Sequence, residues 1–331
     1  MPEPLAVPAR AAAAPGCREG AAVTGLGIAL PATVVGNAAI AARFGVDDEW
    51  IVQRTGIRER RVAGPEERLA DFATSAGSRA LADAGLAAAD LDLVVLATST
   101  NERVMPAAAG EVAAELGAER AGAYDVSAAC TGFLAALSIA CGQVEAGRAS
   151  RVLVIGADLM TRITDAADRA TAALFGDGAG AVVVQSADQA RIGPLALGSD
   201  GANGELIYVD AEERLIRMQG HETFRHAVAR MSEATLRAIE SAGLGLEDID
   251  LFVYHQANAR ILKAVAERLG LPPGRVMEGI ERVGNTSAAS IPLALDAARQ
   301  AGELRPGARV LIAAFGAGLS WGAATLTWGS G

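Results

Sequence analysis

"ALADAGLAAADLDLVVLA" at residues 80–97 returns as "AIESAGLGLEDIDLFVYH" at 238–255, an offset of 158. "RVLVIGADL" at 151 returns as "RVLIAAFGA" at 309, again at 158. A third pair, "FGDGAGAVVV" at 175 and "FGAGLSWGAATL" at 315, is offset by 140 and carries less weight. A period this long suits two copies of a domain and is far too long for a solenoid. Each copy reads as a helix, a short loop and an unbroken apolar strand, "DLVVLATS" in one and "DLFVYHQA" in the other. Such strands alternating with helices imply a largely parallel sheet covered on both faces. Two such sheets about a pseudo-twofold predict a layered α/β/α/β/α body, and the repeat argues against one large doubly wound sheet.

The chain divides accordingly. Residues 1–20, "MPEPLAVPARAAAAPGCREG", place prolines and arginines where a signal peptide needs its apolar core, and are expected to be a disordered tail. One half then covers 21–188 and the other 189–331. Half of the 331 residues are hydrophobic but only 4% are aromatic, which favours closely packed helices on sheets. No apolar run reaches membrane-spanning length without Gly, Pro or charge, so no membrane partner is expected. Three cysteines (Cys17, Cys130, Cys141) make a disulfide framework improbable and point to a reducing, cytoplasmic compartment. With 29 basic and 39 acidic residues the net charge is −10, which disfavours nucleic acid as a partner.

The 158-residue offset carries Cys130 onto Ala288 and His255 onto Ala97. The chemically capable residues thus stand at ends of elements opposite bland alanines. Sites form at the carboxyl ends of parallel strands and the helix starts that follow, so Cys130, His255 and Asn285 are expected to meet near the pseudo-twofold. "DVSAAC" is strand-like and "TGFLAALSIA" helical, so the Cys130 thiol sits at a helix start, where exposed N–H groups favour the thiolate nucleophile. Cys141 falls within that helix and reads as core; Cys17 lies in the tail. His255 ends a buried strand ahead of an amphipathic helix, and Asn285 lies in the polar turn "VGNTSAAS". "HETFRH" puts His221 and His226 five apart, about 500° around a helix, so no zinc site is expected. "FGDGAGAVVV" runs into a strand and not the helix that a phosphate cradle needs.

Together "DVSAAC", "HQANARI" and "GNTSAAS" resemble the thiolase-fold condensing enzymes, above all the β-ketoacyl-acyl carrier protein synthase III family. "WIVQRTGIRERR" at 50–61, "TDAADRAT" at 164–171, "FGDGAGAVV" at 175–183 and "FGAGLSWG" at 315–322 add to the resemblance, which runs from about residue 21 onward. It implies the thiolase-like duplicated fold, with the nucleophile in the first half and His and Asn in the second. It also implies a Cys-His-Asn triad of Cys130, His255 and Asn285, with backbone N–H groups of Cys130 and Ala317 as oxyanion hole. An acyl-CoA starter would acylate Cys130, and malonyl-acyl carrier protein would then be decarboxylated and condensed with it, with no metal or redox cofactor. Trp50, Arg54 and Arg169 would hold the adenine and phosphate end of CoA, Phe224 and Asn258 the pantetheine, and Met105 and Phe175 the acyl pocket. A homodimer is implied, with a partner residue closing that pocket.

Three features leave the starter open. Ala317 stands where "FGGG" is frequent, Met105 where a Phe is common in the acetyl-specific type, and the tail is additional. Acyl transfer from Cys130 to a hydroxyl, an amine or a carrier protein is the alternative activity, and a non-catalytic partner subunit is a third reading that the intact nucleophile opposes. Carrier docking is assigned to Arg225, Arg260 and Arg268, because an acidic enzyme needs a local basic patch to receive an acidic carrier.

Overall fold

The computed structural model describes residues 20–189 and 191–329. The tail expected over 1–20, with Cys17, lies outside the described residues, except for Gly20, which opens the first strand. The first repeat runs β1 (Gly20–Ala29), β2 (Val34–Gly36), α1 (Ala38–Phe44), α2 (Asp48–Thr55), β3 (Glu59–Arg61) and α3 (Leu69–Ala84). It continues through β4 (Leu93–Ala97), α4 (Ala108–Leu116), β5 (Gly122–Val126), α5 (Gly132–Glu145), β6 (Arg151–Leu159) and β7 (Asp177–Ala187). The second repeat begins with β8 (Ala196–Ser199), the hairpin β9 (Ile207–Val209) and β10 (Ile216–Met218), and α6 (Gly220–Ser241). After it come β11 (Leu251–Tyr254), α7 (Ala259–Leu269), α8 (Ser290–Gln300), β12 (Arg309–Gly316) and β13 (Ser320–Thr327).

The offset read in the sequence recurs in the elements. β4 and β11 begin at Leu93 and Leu251, α5 and α8 at Gly132 and Ser290, and β6 and β12 at Arg151 and Arg309, each pair 158 apart. Even the short 3₁₀ turns before α5 and α8 match, Ala129–Thr131 with Ser287–Ala289. Their first residues share a left-handed backbone that non-glycine residues rarely adopt, φ 45° at Ala129 and 50° at Ser287. Arg151 pairs with Gln185 and Arg309 with Thr327, so β7 and β13 are counterparts too, offset by 327 − 185 = 142. The third sequence pair, read at 140, is two residues out of this register, since its Phe315 and Gly316 end β12 whereas Phe175 and Gly176 precede β7. The change from 158 to 142 arises because the connection Met160–Gly176, which carries "TDAADRAT", is replaced in the second half by a tight hairpin.

Strand order is β1-β7-β6-β4-β5 in one sheet and β11-β12-β13-β8 in the other. The expectation of largely parallel sheets is corrected: β4 runs parallel to β5 and β6, and β11 to β12, but β1, β7, β13 and β8 all pair antiparallel. An antiparallel return needs no crossover helix, and unbroken apolar runs do not record strand direction.

The five layers are as expected. Between the sheets lie α5 and α8, where Phe133, Leu134 and Leu137 meet Ile291, Leu295 and strand residues such as Val154 and Ile312. Each such side chain, fully buried, contributes about 1.5–3 kcal/mol. The outer face of the first sheet is covered by α3 and α4, and that of the second by α6 and α7. Close packing explains the wealth of Gly and Ala. A Cβ on Gly27 of β1 would fall 2.4 Å from the Ala76 carbonyl of α3, and one on Gly156 of β6 would fall 2.2 Å from the Ala288 carbonyl of the other repeat.

Candidate active site

Cys130 lies in the 3₁₀ turn between β5 and α5, two residues ahead of the helix. The left-handed Ala129 turns the chain sharply there. Thr131 fastens the turn, its hydroxyl donating to the Ala128 carbonyl at 2.7 Å and meeting the Ser320 hydroxyl at 2.8 Å. From the second repeat Gly316 presses against the turn: a Cβ on it would fall 2.8 Å from Cys130 Cβ and 3.0 Å from its nitrogen. Ala317 follows directly, so the two backbone segments assigned to the oxyanion hole adjoin each other.

His255 follows β11, its N–H donating to the Ala313 carbonyl at 2.7 Å and its own carbonyl accepting from Ala257 at 2.8 Å. The side chain is buried, and Nδ1 has no hydrogen-bond partner. Burial pushes the imidazole down to about 4, so it is neutral at ordinary pH. Asn285 is pinned by its backbone, donating to Leu174 at 2.8 Å and accepting from Gly176 at 3.0 Å. Its Oδ1 accepts from Ser287 N–H at 3.0 Å, which leaves the Nδ2 amide as the end available to a ligand.

All three residues line one cavity of about 560 Å³. Trp50, Arg54 and Arg169 stand on its wall, with the Arg54 guanidinium 3.9 Å and the Arg169 guanidinium 4.4 Å from the Trp50 ring centre. Phe175, Phe224 and Asn258 line it as well. Asn258 also has a structural duty that its sequence context alone did not reveal. It caps α7 by accepting from Arg260 N–H at 2.9 Å and ties that helix to α2 by donating to the Arg54 carbonyl at 3.0 Å.

Two expectations are corrected. The Cys130 thiol does not rest as a thiolate; burial outweighs the helix start and pushes it up to about 11. Met105 does not line the cavity of its own chain. It is 81% exposed on the loop before α4, next to Val104 at 93%. The docking residues differ among themselves. Arg260 lines the cavity with its guanidinium 5.7 Å from the Phe224 ring, Arg268 is exposed at the far end of α7, and Arg225 is paired with Glu222 at 3.2 Å.

Several residues escaped the sequence reading. Ile207, Ile216 and Met218 of the β9–β10 hairpin form a cavity wall, which the Arg217–Asp165 ion pair (3.0 Å) holds to the loop carrying Arg169. The signal was there: the apolar stretches "LIYV" and "LIRM" on either side of the polar "DAEER". Asp158, a carboxylate ending the apolar strand "VLVIGADL", is wholly buried behind Cys130. His221 is on the cavity rim and His226 lies further along α6; no group of three or more possible metal ligands occurs among the described residues.

Models of 3-oxoacyl-[acyl-carrier-protein (ACP)] synthase III match the chain over residues 124–201, and of its C-terminal part over 239–328. A β-ketoacyl-[acyl-carrier-protein] synthase III from Streptomyces coelicolor is 47% identical over 96% of each chain. The chain belongs to the synthase III family. Another synthase III, from Rhodobacter capsulatus, is 47% identical over 93% of this chain and 99% of its own. Among solved structures, the synthase III of Pseudomonas aeruginosa superposes with a TM-score of 0.90 at 44% identity, covering 94% of this chain and 99% of that one. The priming β-ketosynthase of a polyketide biosynthetic pathway superposes at 0.91 with 40% identity, over 95% and 97% of the two chains. The duplicated thiolase-like fold of this synthase III family member thus rests on both its own internal symmetry and these neighbours. Among its described residues no helix is long and apolar enough to cross a membrane.

Proposed function

We propose that the protein joins an acyl-CoA starter to malonyl-acyl carrier protein by decarboxylative condensation through an acyl-Cys130 intermediate. One observation carries this reading: a thiol, a neutral imidazole and a free amide line the same cavity, where two acyl groups can meet. Cys130 attacks the starter thioester and expels CoA. Backbone N–H groups of Cys130 and Ala317 receive the oxyanion of the tetrahedral intermediate. Neutral His255 and the Asn285 amide then donate to the malonyl thioester carbonyl and hold the enolate that forms as carbon dioxide leaves. That carbanion attacks the acyl-cysteine, giving a β-ketoacyl-carrier product. The electron pair moves only among carbon, oxygen and sulfur, so the sequence of steps requires neither metal nor redox cofactor.

Trp50, Arg54 and Arg169 serve the adenine and phosphates of CoA, stacking and pairing as a tryptophan and guanidiniums do. Phe224 and Asn258 flank the pantetheine, and Phe175 the acyl chain. Arg260, with Arg268 and the partly neutralised Arg225, receives the acidic carrier. The protein acts as a homodimer in the cytosol, where its thiol stays reduced. Support for the dimer comes from exposed Val104 and Met105 and from Tyr124, 37% exposed on the edge strand β5. In that assembly Met105 reaches the partner's acyl pocket.

The test is incubation with a panel of acyl-CoAs, intact mass of the protein, and a malonyl-carrier condensation assay. Cys130→Ala should abolish the acyl adduct and Cys141→Ala should keep it. An adduct on Cys130→Ala, or acylation with no β-ketoacyl product, overturns the reading in favour of another nucleophile or of simple acyl transfer.

A further inference from the structure

Starter acylation poses a problem that the residues lining the cavity do not solve. The thiol must lose a proton, yet burial holds it protonated, up to about 11. His255 is a poor acceptor for that proton. An imidazolium there would carry N–H on both ring nitrogens, and Nδ1 is buried with nothing to accept from it. An unpaired buried donor of that kind is expensive, and a charged one more so.

Behind the thiol stands a different group. Asp158 is the next-to-last residue of β6 and is wholly buried. Its Oδ1 accepts from Thr98 Oγ1 (3.2 Å), Ser99 N–H (2.8 Å) and Thr100 Oγ1 (3.1 Å). Both threonine hydroxyls also accept a backbone N–H, Thr98 from Thr100 and Thr100 from Leu159, so their protons are committed to the carboxylate. Oδ2 accepts a single backbone donor, Ala288 N–H at 3.1 Å, and has room for a proton. Ser287, the residue before Ala288, is buried, and its hydroxyl stands within hydrogen-bonding reach of both the Cys130 thiol and Asp158. The groups around Asp158 are therefore neutral donors from the end of β4 and the start of α8, plus the Cys130 thiol. Of these only the thiol titrates.

We propose that Asp158, acting through the Ser287 hydroxyl, is the base that takes the Cys130 proton during starter acylation. The inference rests on Cys130 being the acylated residue. A hydroxyl has one proton, so with Asp158 ionised the chain runs from S–H to Ser287 Oγ and from Ser287 O–H to Asp158 Oδ2. As sulfur attacks, the S–H bond breaks, the proton passes to Ser287, and the Ser287 proton passes to Oδ2. The new S–C bond forms while the carbonyl π pair moves onto oxygen. On collapse the bond from carbon to the CoA sulfur breaks, and that sulfur takes the proton by the reverse path. The products are acyl-Cys130, free CoA thiol and an ionised Asp158. Burial, which pushes Asp158 above the usual carboxylate range, suits it to hold a proton briefly.

Ser287→Ala is the decisive variant, since its counterpart in the other repeat is Ala129, an alanine on nearly the same left-handed backbone. Single-turnover acylation by acyl-CoA, followed by intact mass between about pH 6 and 10, should be slowed about 100-fold at neutral pH. The deficit should shrink toward high pH as the thiol ionises unaided. Decarboxylation of malonyl-carrier by chemically pre-acylated enzyme should stay within about threefold. Asp158→Asn should show the same pattern, and Ser287→Ala decides alone if that variant does not fold. Wild-type acylation by Ser287→Ala at neutral pH overturns the proposal, as does an equal loss of both half-reactions at all pH values. If the wild-type protein itself is never acylated at Cys130, it is the condensation reading that fails.

Discussion

Burying His255 makes stability fall as the solution becomes acidic, by an amount that follows from its environment. The imidazole is pushed down to about 4 from an ordinary value of 6.5, because removing it from water disfavours the cation. The unfolded chain takes a proton as pH falls through the ordinary value, while the folded state refuses one until the lowered value. Stability is therefore complete above 6.5, declines between 6.5 and about 4, and levels off below. At about pH 5 the gap from the unfolded value is about 1.5 units, or about 2 kcal/mol. Well below the folded value the whole displacement counts, about 3 kcal/mol. Urea unfolding of wild type and His255→Gln at about pH 7.5 and pH 5 measures this term, because carboxylates titrate in both proteins and cancel. Wild type should lose about 2 kcal/mol more than the variant between the two conditions. Equal losses would refute the claim that the imidazole is held neutral by burial.

Asn285→Ala removes the free amide and should slow malonyl decarboxylation about 100-fold, with a smaller effect on acylation of Cys130; release of carbon dioxide and intact mass read the two steps. His255→Ala should share that bias. Gly156→Ala places a methyl 2.2 Å from the Ala288 carbonyl, and should destabilise by about 3 kcal/mol or more, read by thermal unfolding. Reversing Arg260 and Arg268 to Glu together should raise KM for malonyl-carrier more than for acyl-CoA and flatten its salt dependence; unchanged carrier kinetics would move the docking surface elsewhere.

Much of this was open to a reader of the sequence, for definite reasons. The repeat is visible because helix end, loop and strand start keep the same spacing in both halves over the blocks at 80 and 151. It is lost where the loop bearing Arg169 is present in one half alone. Cys130, His255 and Asn285, which share the cavity, stood out because each lies in or beside a junction between elements, and such junctions are marked by a switch from apolar runs to small or polar residues. What stayed hidden lies between the repeats. Asp158 and Ala288 are 130 residues apart, and nothing local to either announces the hydrogen bond. Likewise the helix start near Cys130 was legible, but the desolvation that reverses its effect depends on Gly316 and the opposite turn. Met105 was misplaced because nothing in its own segment records that the loop leaves the side chain exposed, away from the cavity of its chain.

The pseudo-twofold gives the Cys130 turn amide, proposed above to receive the oxyanion, an occupied twin. The 158-residue offset sets Cys130 N–H against Ala288 N–H, and Asp158 against Gly316. In one half the turn amide is met by a carboxylate oxygen at 3.1 Å. In the other the acid is replaced by hydrogen, so the volume a negative oxygen fills at Asp158 is left to whatever enters the cavity beside Cys130. A backbone shaped to meet a carboxylate in one copy is, in the other, suited to the transient oxyanion proposed for the reaction. No loop need close and no donor need turn for that, because the same turn, in the same left-handed conformation, is built twice.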